Sequence, residues 1–221
     1  ANGYPDKAET DGVIGKATVS WNPSEDVMYY VTWSEGFRPG ILNRPVGRTD
    51  PSGQYSVPAE VDTDEITNYE FGWKTISKDG NLRFNGSAFY VDVTGLQTTI
   101  FDPSIVNLFF SDNAADATIK GVEGDFTYYT MKEGLSVAGA FSMLETEITD
   151  ALVPTNDVTV GSDLAFAPGL QGNVRVRQEW GMSAGNVGHM QIQFTYSDDS
   201  YSDVMGPNKA YQDSYSYVDM R

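Results

Sequence analysis

The sequence predicts an all-β chain folded as an antiparallel, up-and-down meander of about eight full strands and one partial strand. Three observations predict it. Apolar side chains recur at every second position over long stretches, which is the period of a strand with two unlike faces. The connections alternate strictly between short turns and long polar loops, so turns gather at one end of the sheet and loops at the other. Several strands run to ten or more residues, where five or six are usual in soluble proteins.

The elements justify this in order. Gly15 to Trp21 sets Ala17, Val19 and Trp21 against Lys16, Thr18 and Ser20, and Asn22-Pro23-Ser24-Glu25-Asp26 supplies a bend. The next strand carries Tyr29, Val31 and Trp33, then runs into Glu35-Gly36-Phe37-Arg38-Pro39-Gly40 and a polar stretch over 38–64. Tyr69, Phe71 and Trp73 alternate with Asn68, Glu70, Gly72 and Lys74. Lys78-Asp79-Gly80-Asn81 reads as a tight hairpin in which Asp-Gly takes positive φ. Leu82, Phe84, Ala88 and Tyr90 return against Arg83, Asn85 and Ser87.

A loop is expected over 102–117, and Val122, Phe126 and Tyr128 then alternate with Glu123, Asp125 and Thr127. Lys132-Glu133-Gly134 turns the chain into Leu135, Val137, Phe141 and Met143, opposite Ser136, Ala138, Ala140 and Ser142. After a second loop over 150–168, Leu170, Val174, Val176 and Trp180 face away from Gln171, Asn173, Arg175, Arg177 and Glu179. A glycine-rich turn over 183–188 leads to Met190, Ile192, Phe194 and Tyr196 against Gln191, Gln193, Thr195 and Ser197. A partial strand covers Tyr215 to Arg221.

Composition excludes several function classes. With no cysteine there is neither a disulfide framework nor a thiolate metal site, and the single histidine, His189, weakens any imidazole centre or proton relay. A net charge of −17 argues against nucleic acid as a partner. No run of about 18 apolar residues marks a transmembrane helix. Ala-Asn-Gly-Tyr-Pro-Asp has neither the basic start nor the apolar core of a signal peptide and reads as the start of a piece of a longer chain. The 221 residues are expected to form one domain, 1–221.

Alternation alone leaves open whether the apolar face meets a core or lipid. Strand length favours lipid. So does the position of Trp21, Trp73, Tyr128 and Trp180, each on the apolar face shortly before a short turn, as in an interfacial girdle. The Gln, Asn, Arg, Glu and Thr side chains of the other face suit a wet lumen filled by another element. We therefore expect a portion of an up-and-down transmembrane β-barrel. Strand 69–75 should pair with the strands at about 27–36 and 82–100. Tyr69, Phe71, Trp73, Val122, Phe126, Val174, Ile192 and Phe194 should lie on the convex side. A soluble β-sandwich carrying a carbohydrate-binding site is the alternative.

Motif searches point away from catalysis. No glycine-rich phosphate loop is present. Asp62-Thr63-Asp64-Glu65 lacks calcium-loop spacing and reads as a solvated acidic loop, as do Asp198, Asp199 and Asp203. No catalytic residue, metal ligand or cofactor is expected.

The segments "YVTWSEGFRPGILN", "EITNYEFGWKT", "NGSAFYVDVTGLQ" and "IKGVEGDFTYY", followed by Ala167-Pro168 and "SYSYVDMR", resemble in order those of TonB-dependent receptors of the Gram-negative outer membrane. The resemblance spans nearly the whole chain, and it is the ordered set that is specific rather than any one motif. It implies the later part of the barrel, without the plug domain through which TonB acts and without the last two strands and terminal aromatic. Ile41 stands where the family usually has a second glycine after Pro-Gly. The resemblance further implies periplasmic short turns and extracellular loops. Lipid bilayer and lipopolysaccharide would surround the apolar face, and a small ligand such as a ferric siderophore would be taken up without covalent chemistry. Oligosaccharide or cobalamin is the alternative ligand. Arg38, Tyr55, Phe109 and Phe110 are the ligand-contact candidates, since an arginine can pair with an anionic chelate and an aromatic ring offers area at small entropic cost.

Overall fold

The computed structural model describes residues 7–44, 46–154, 158–204, 206 and 209–221. The first six residues, read above for a signal peptide, lie outside them. Among the described residues thirteen strands occur in chain order: β1 (Lys16–Ser24), β2 (Val27–Arg38), β3 (Ile41–Leu42), β4 (Glu60–Val61), β5 (Asp64–Ile76), β6 (Leu82–Ile100), β7 (Phe110–Tyr129), β8 (Leu135–Ala151), β9 (Leu170–Gly181), β10 (Val187–Ser197), β11 (Ser200–Tyr201), β12 (Tyr211–Gln212) and β13 (Tyr215–Met220). Nine of them form one sheet in the order β1-β2-β5-β6-β7-β8-β9-β10-β13, and every pairing in it is antiparallel. β5 pairs with β2 and β6, as the alternation of short and long connections requires. The remaining pairs, β3-β4 and β11-β12, are two-residue ribbons within long connections.

Register carries the apolar positions across the sheet as one face. Val19 lies opposite Val31, Val31 opposite Phe71, Phe71 opposite Ala88 and Ala88 opposite Val122. Val122 lies opposite Met143, and further on Val174 meets Phe194 and Phe194 meets Val218. A slip of one residue at any pairing would turn a strand's apolar set to the other side. These side chains do not converge on a core: Tyr69, Phe71, Val122, Val174, Ile192 and Phe194 are exposed, and Trp73 and Phe126 are half-buried. The grooves in the sheet instead open on the polar face, along Lys74, Asn85, Ser87, Glu123, Asp125 and Ala140. This is the inverse of a sandwich, in which the apolar faces of two sheets are hidden against each other.

Aromatic rings form a chain on the apolar face at the short-turn end. Trp21 stacks on Tyr29 at 5.8 Å, Tyr29 on Phe71 at 6.1 Å, and Trp73 lies 5.7 Å from Phe84. A second row, Trp33–Tyr69–Tyr90, runs nearer the loops and ends beside the Lys120–Glu145 ion pair. Glycines admit the rings. Trp73 lies over Gly86, where an added Cβ would come within 2.4 Å of the indole, and Phe126 covers Gly139 in the same way. An alanine at either place would force the aromatic off the sheet.

Two local expectations change. In the 77–81 turn only Gly80 takes positive φ, at 72°, while Ser77 and Leu82 close the hairpin with a 2.7 Å backbone hydrogen bond. The Asp79 carboxylate instead accepts from the Asn81 backbone amide. The loop expected over 102–117 is shorter, because β7 already begins at Phe110, paired with Ile100. Gly95, at φ 64°, marks an irregularity between Val93 and Leu96 where β6 leaves its regular register.

A candidate ligand-binding mouth

Beyond the second aromatic row, β6, β7 and β8 continue as arms of the sheet, and the long connections fold over them. Val57, Ile100, Phe110, Ala114, Ala115, Ile148, Val153, Val158 and Val204 are buried together there, with Tyr55, Ile105, Val106 and Leu164 packed against them. Segments 39–63, 101–109, 152–169 and 198–214 thus share one hydrophobic cluster. Burial of a side chain such as Ile148, 0% exposed, contributes roughly 2–3 kcal/mol to holding the segments together.

Polar side chains tie the same segments to the strand ends. Asp64 is fully buried and accepts from the Arg38 backbone amide at 3.0 Å, from Arg38 Nε at 2.6 Å and from Arg38 Nη2. Gln97 donates to the carbonyls of Pro39 and Asp62, and Asn113 to those of Asp62 and Gly95. Asn43 donates to the carbonyls of Pro58 and Ser111 and accepts from the Ser111 amide at 2.8 Å. Side-chain amides that bridge carbonyls in this way, Asn43 buried and Gln97 and Asn113 half-buried, satisfy backbone groups a folded loop would otherwise leave unpaired.

The four contact candidates fall in different places. Phe109 is 68% exposed and tilts against Phe101 at 4.9 Å. Phe110, its neighbour, is 2% exposed and belongs to the hydrophobic cluster, because strand parity at the start of β7 turns it inward. Its place in the fold is therefore that of a packing residue. Tyr55 is half-buried, lies 6.3 Å from the Phe110 ring and donates its hydroxyl to Asp112. Burial and the Asp112 carboxylate push that phenol well above its ordinary range, so it stays a neutral donor. Arg38 is half-exposed, but its guanidinium is already neutralised by Asp64, and Nη2 also donates to the Gln97 carbonyl. The sequence reading missed Asn43, Gln97 and Asn113, and its solvated acidic loop over Asp62 to Glu65 is corrected at Asp64, which opens β5 fully buried against Arg38. Asp64 could have been found by extending the β2–β5 register outward, which sets Arg38 opposite it.

No group of three or more His, Asp or Glu side chains able to hold a metal ion occurs among the described residues. No described helix is long and apolar enough to cross a membrane, a criterion that does not bear on strands.

A nine-stranded antiparallel meander with an exposed apolar band, a polar opposite face and loops gathered at one end defines a portion of a transmembrane-type β-barrel. Over residues 2–221 the chain matches the family described as TonB dependent receptor-like, beta-barrel, and it belongs to that family. No curated protein matches the sequence. Among solved structures it is similar to the ferric yersiniabactin uptake receptor FyuA from Yersinia pestis, at 16% identity and a TM-score of 0.69 over 94% of this chain and 29% of that one. It is also similar to the siderophore receptor PiuA from Acinetobacter baumannii, at 18% identity and a TM-score of 0.64 over 93% of this chain and 28% of that one. A third likeness is to the ferric citrate transporter FecA in its unliganded form, at 12% identity and a TM-score of 0.66 over 93% and 29%. At these identities the likeness is one of fold, and the chain spans less than a third of each of these structures.

Proposed function

We propose that residues 1–221 are one contiguous part of the barrel domain of a receptor in the outer membrane of a Gram-negative bacterium, which takes up a scarce ligand by energised transport. The observation that carries this reading is the pairing of an exposed apolar band with a loop assembly packed around one hydrophobic cluster at one end, in a chain of the TonB-dependent receptor family. Lipid and lipopolysaccharide cover the band. The polar face lines the lumen, and TonB acts through the plug domain of the parent receptor rather than through these strands.

A ferric siderophore is the favoured ligand. Three similar structures are of proteins described as receptors or transporters of ferric yersiniabactin, of a siderophore and of ferric citrate. Within the mouth, Phe109 offers its exposed ring to the ligand, Arg38 offers the free edge of its guanidinium, and Tyr55 and Phe110 support the wall from behind. Binding and release accomplish the transport, and no covalent step is assigned to any residue. The test is growth on defined iron sources with the full-length receptor deleted and then restored. Loss and recovery of growth on one ferric siderophore is the expected result. Unchanged growth on every siderophore, with loss of growth on a glycan or of cobalamin uptake, overturns the iron assignment.

A further inference from the structure

Register sorts the charges of the polar face by height. Glu70, Glu123 and Asp125 lie nearer the mouth, where Tyr30, Ser87 and Asn85 donate hydrogen bonds to them and no cation pairs with them among the described residues. The two rows nearest the 77–81 and 130–134 turns are basic. In one, Arg83 lies opposite Thr127, Thr127 opposite Ala138, and Ala138 opposite Arg175. In the other, Ser136 lies opposite Arg177, and Arg177 opposite Gln191, which exchanges backbone hydrogen bonds with Arg221. Four of the seven arginines in a chain of net charge −17 are gathered in these two rows.

Two of the four are free. Arg177 pairs with Glu179 at 2.7 Å, whereas the exposed side chains of Arg83 and Arg175 make no hydrogen bond or ion pair among the described residues. Three strand spacings of about 4.8 Å separate them, so they stand about 14 Å apart at their Cα atoms. The side chains between them, Thr127 and Ala138, are small, and the trough they floor continues past Ser136 to Arg177 and Lys132. A guanidinium is a planar fork that matches a carboxylate, and two forks across a trough suit an extended acidic segment.

We propose that the Arg83–Arg175 trough docks an acidic segment of the plug domain and holds it at the short-turn end of the lumen. The proposal rests on the barrel reading above and adds a contact to it. The trough opens on the lumen face, so its occupant comes from within the barrel. A dissolved anion arriving from the mouth would first pass Glu70, Glu123 and Asp125 on the same wall, a barrier that a segment folded into the lumen does not meet. The 221 residues span less than a third of the similar solved chains, which leaves ample chain to supply the segment. Each guanidinium keeps one edge in lumen water, so salt weakens the contact.

The experiment uses the full-length receptor in detergent, with Arg83→Lys and Arg175→Lys made singly and treated with a water-soluble carbodiimide. The reagent activates a carboxylate, the lysine amine displaces the activating group as a urea, and an amide joins the two residues. Lys120 and Glu145, 2.7 Å apart on the outer face, should be joined in every sample and show that the reagent has acted. Mass spectrometry should then find residue 83 or 175 joined to an Asp or Glu of the plug. Joining only to Asp219, which lies in the same row, or to no carboxylate overturns the proposal. Hydrogen exchange supplies a second measurement. With Arg83→Gln and Arg175→Gln together, the joined plug segment should exchange about tenfold faster at low salt, the loss of two charge-assisted contacts each weakened by water. The parent should lose the same protection as salt is raised. Plug exchange within twofold of the parent overturns the proposal. So does weaker binding of ferric citrate with no change in plug exchange, which would make the trough a station for a dissolved anion. Heat-modifiable gel mobility separates the two readings: where it persists the barrel stands whatever the cross-links show, and its absence from the parent removes both.

Discussion

Replacing Arg38 with alanine separates a structural role from a ligand contact. In the folded chain the Asp64 carboxylate is out of water and accepts three hydrogen bonds from Arg38, one from its backbone and two from its guanidinium. The alanine variant keeps the backbone donor and loses the other two. Each bond to a charged group contributes about 1.5–3 kcal/mol, and breaking a buried pair costs about 3–5 kcal/mol. The Arg38 side chain is 51% exposed, so water refills part of the gap and roughly 2 kcal/mol remains. That figure is a factor of about 30 in the local opening equilibrium. It should appear as a 30-fold loss of hydrogen-exchange protection for the amides of 36–40, 62–66 and 95–97 in the full-length receptor. Strands near the short turns should keep theirs. Protection within threefold of the parent, together with a tenfold loss of ligand affinity, would refute the latch and make Arg38 a direct ligand residue.

Two further predictions concern the loops and the turns. Ile148→Ala removes a fully buried side chain from the loop cluster and should cost about 3 kcal/mol in local stability, seen as faster exchange in 148–153 and 101–106 with an unchanged barrel melting temperature. In the 77–81 turn, the Ser77 hydroxyl and then the Asn81 amides hold the Asp79 carboxyl below its ordinary value. Because the folded value is the lower one, the turn's added stability is present above the ordinary value of 3.8 and is lost as pH falls through the folded value. Carboxyl-carbon NMR should therefore show no titration of Asp79 between pH 5 and 8, and Ser77→Ala should move its midpoint upward.

The strand order, the pairing partners and the two faces were legible in the sequence because each rests on period-two alternation, which survives at Tyr69-Phe71-Trp73 or Met190-Ile192-Phe194 without tertiary information. The start of β7 was not. Ser111-Asp-Asn-Ala-Ala-Asp116 is small and polar, with no alternation, and it is a strand only because β6 pairs with it and Asn43 clamps Ser111. The loop cluster was hidden for a similar reason. Val57, Val153, Val158 and Val204 are scattered over three connections without periodic alternation, and chain reversal rather than any local pattern brings them together. Phe109 and Phe110 look alike in sequence, and only the parity of β7 buries one and exposes the other. The Tyr201–Lys209 contact joins residues eight apart across a two-stranded ribbon too short to leave a periodic signal.

The central claim is that the face bearing Phe71, Val122, Val174 and Ile192 meets lipid while Glu70, Glu123, Arg175 and Gln191 face water. These 221 residues contain no cysteine, so single cysteines carrying a nitroxide label can be placed at each of these eight positions in the full-length receptor, with any cysteine outside this segment replaced by serine, and the protein reconstituted in bilayers. Spin-label accessibility to oxygen, which concentrates in lipid, and to a water-soluble nickel chelate then reads the surroundings of each site. The account predicts oxygen-dominated relaxation at the first four and nickel-dominated relaxation at the second four. Protection from both reagents at Phe71, Val122, Val174 and Ile192 would mean a packed protein core and would contradict the barrel.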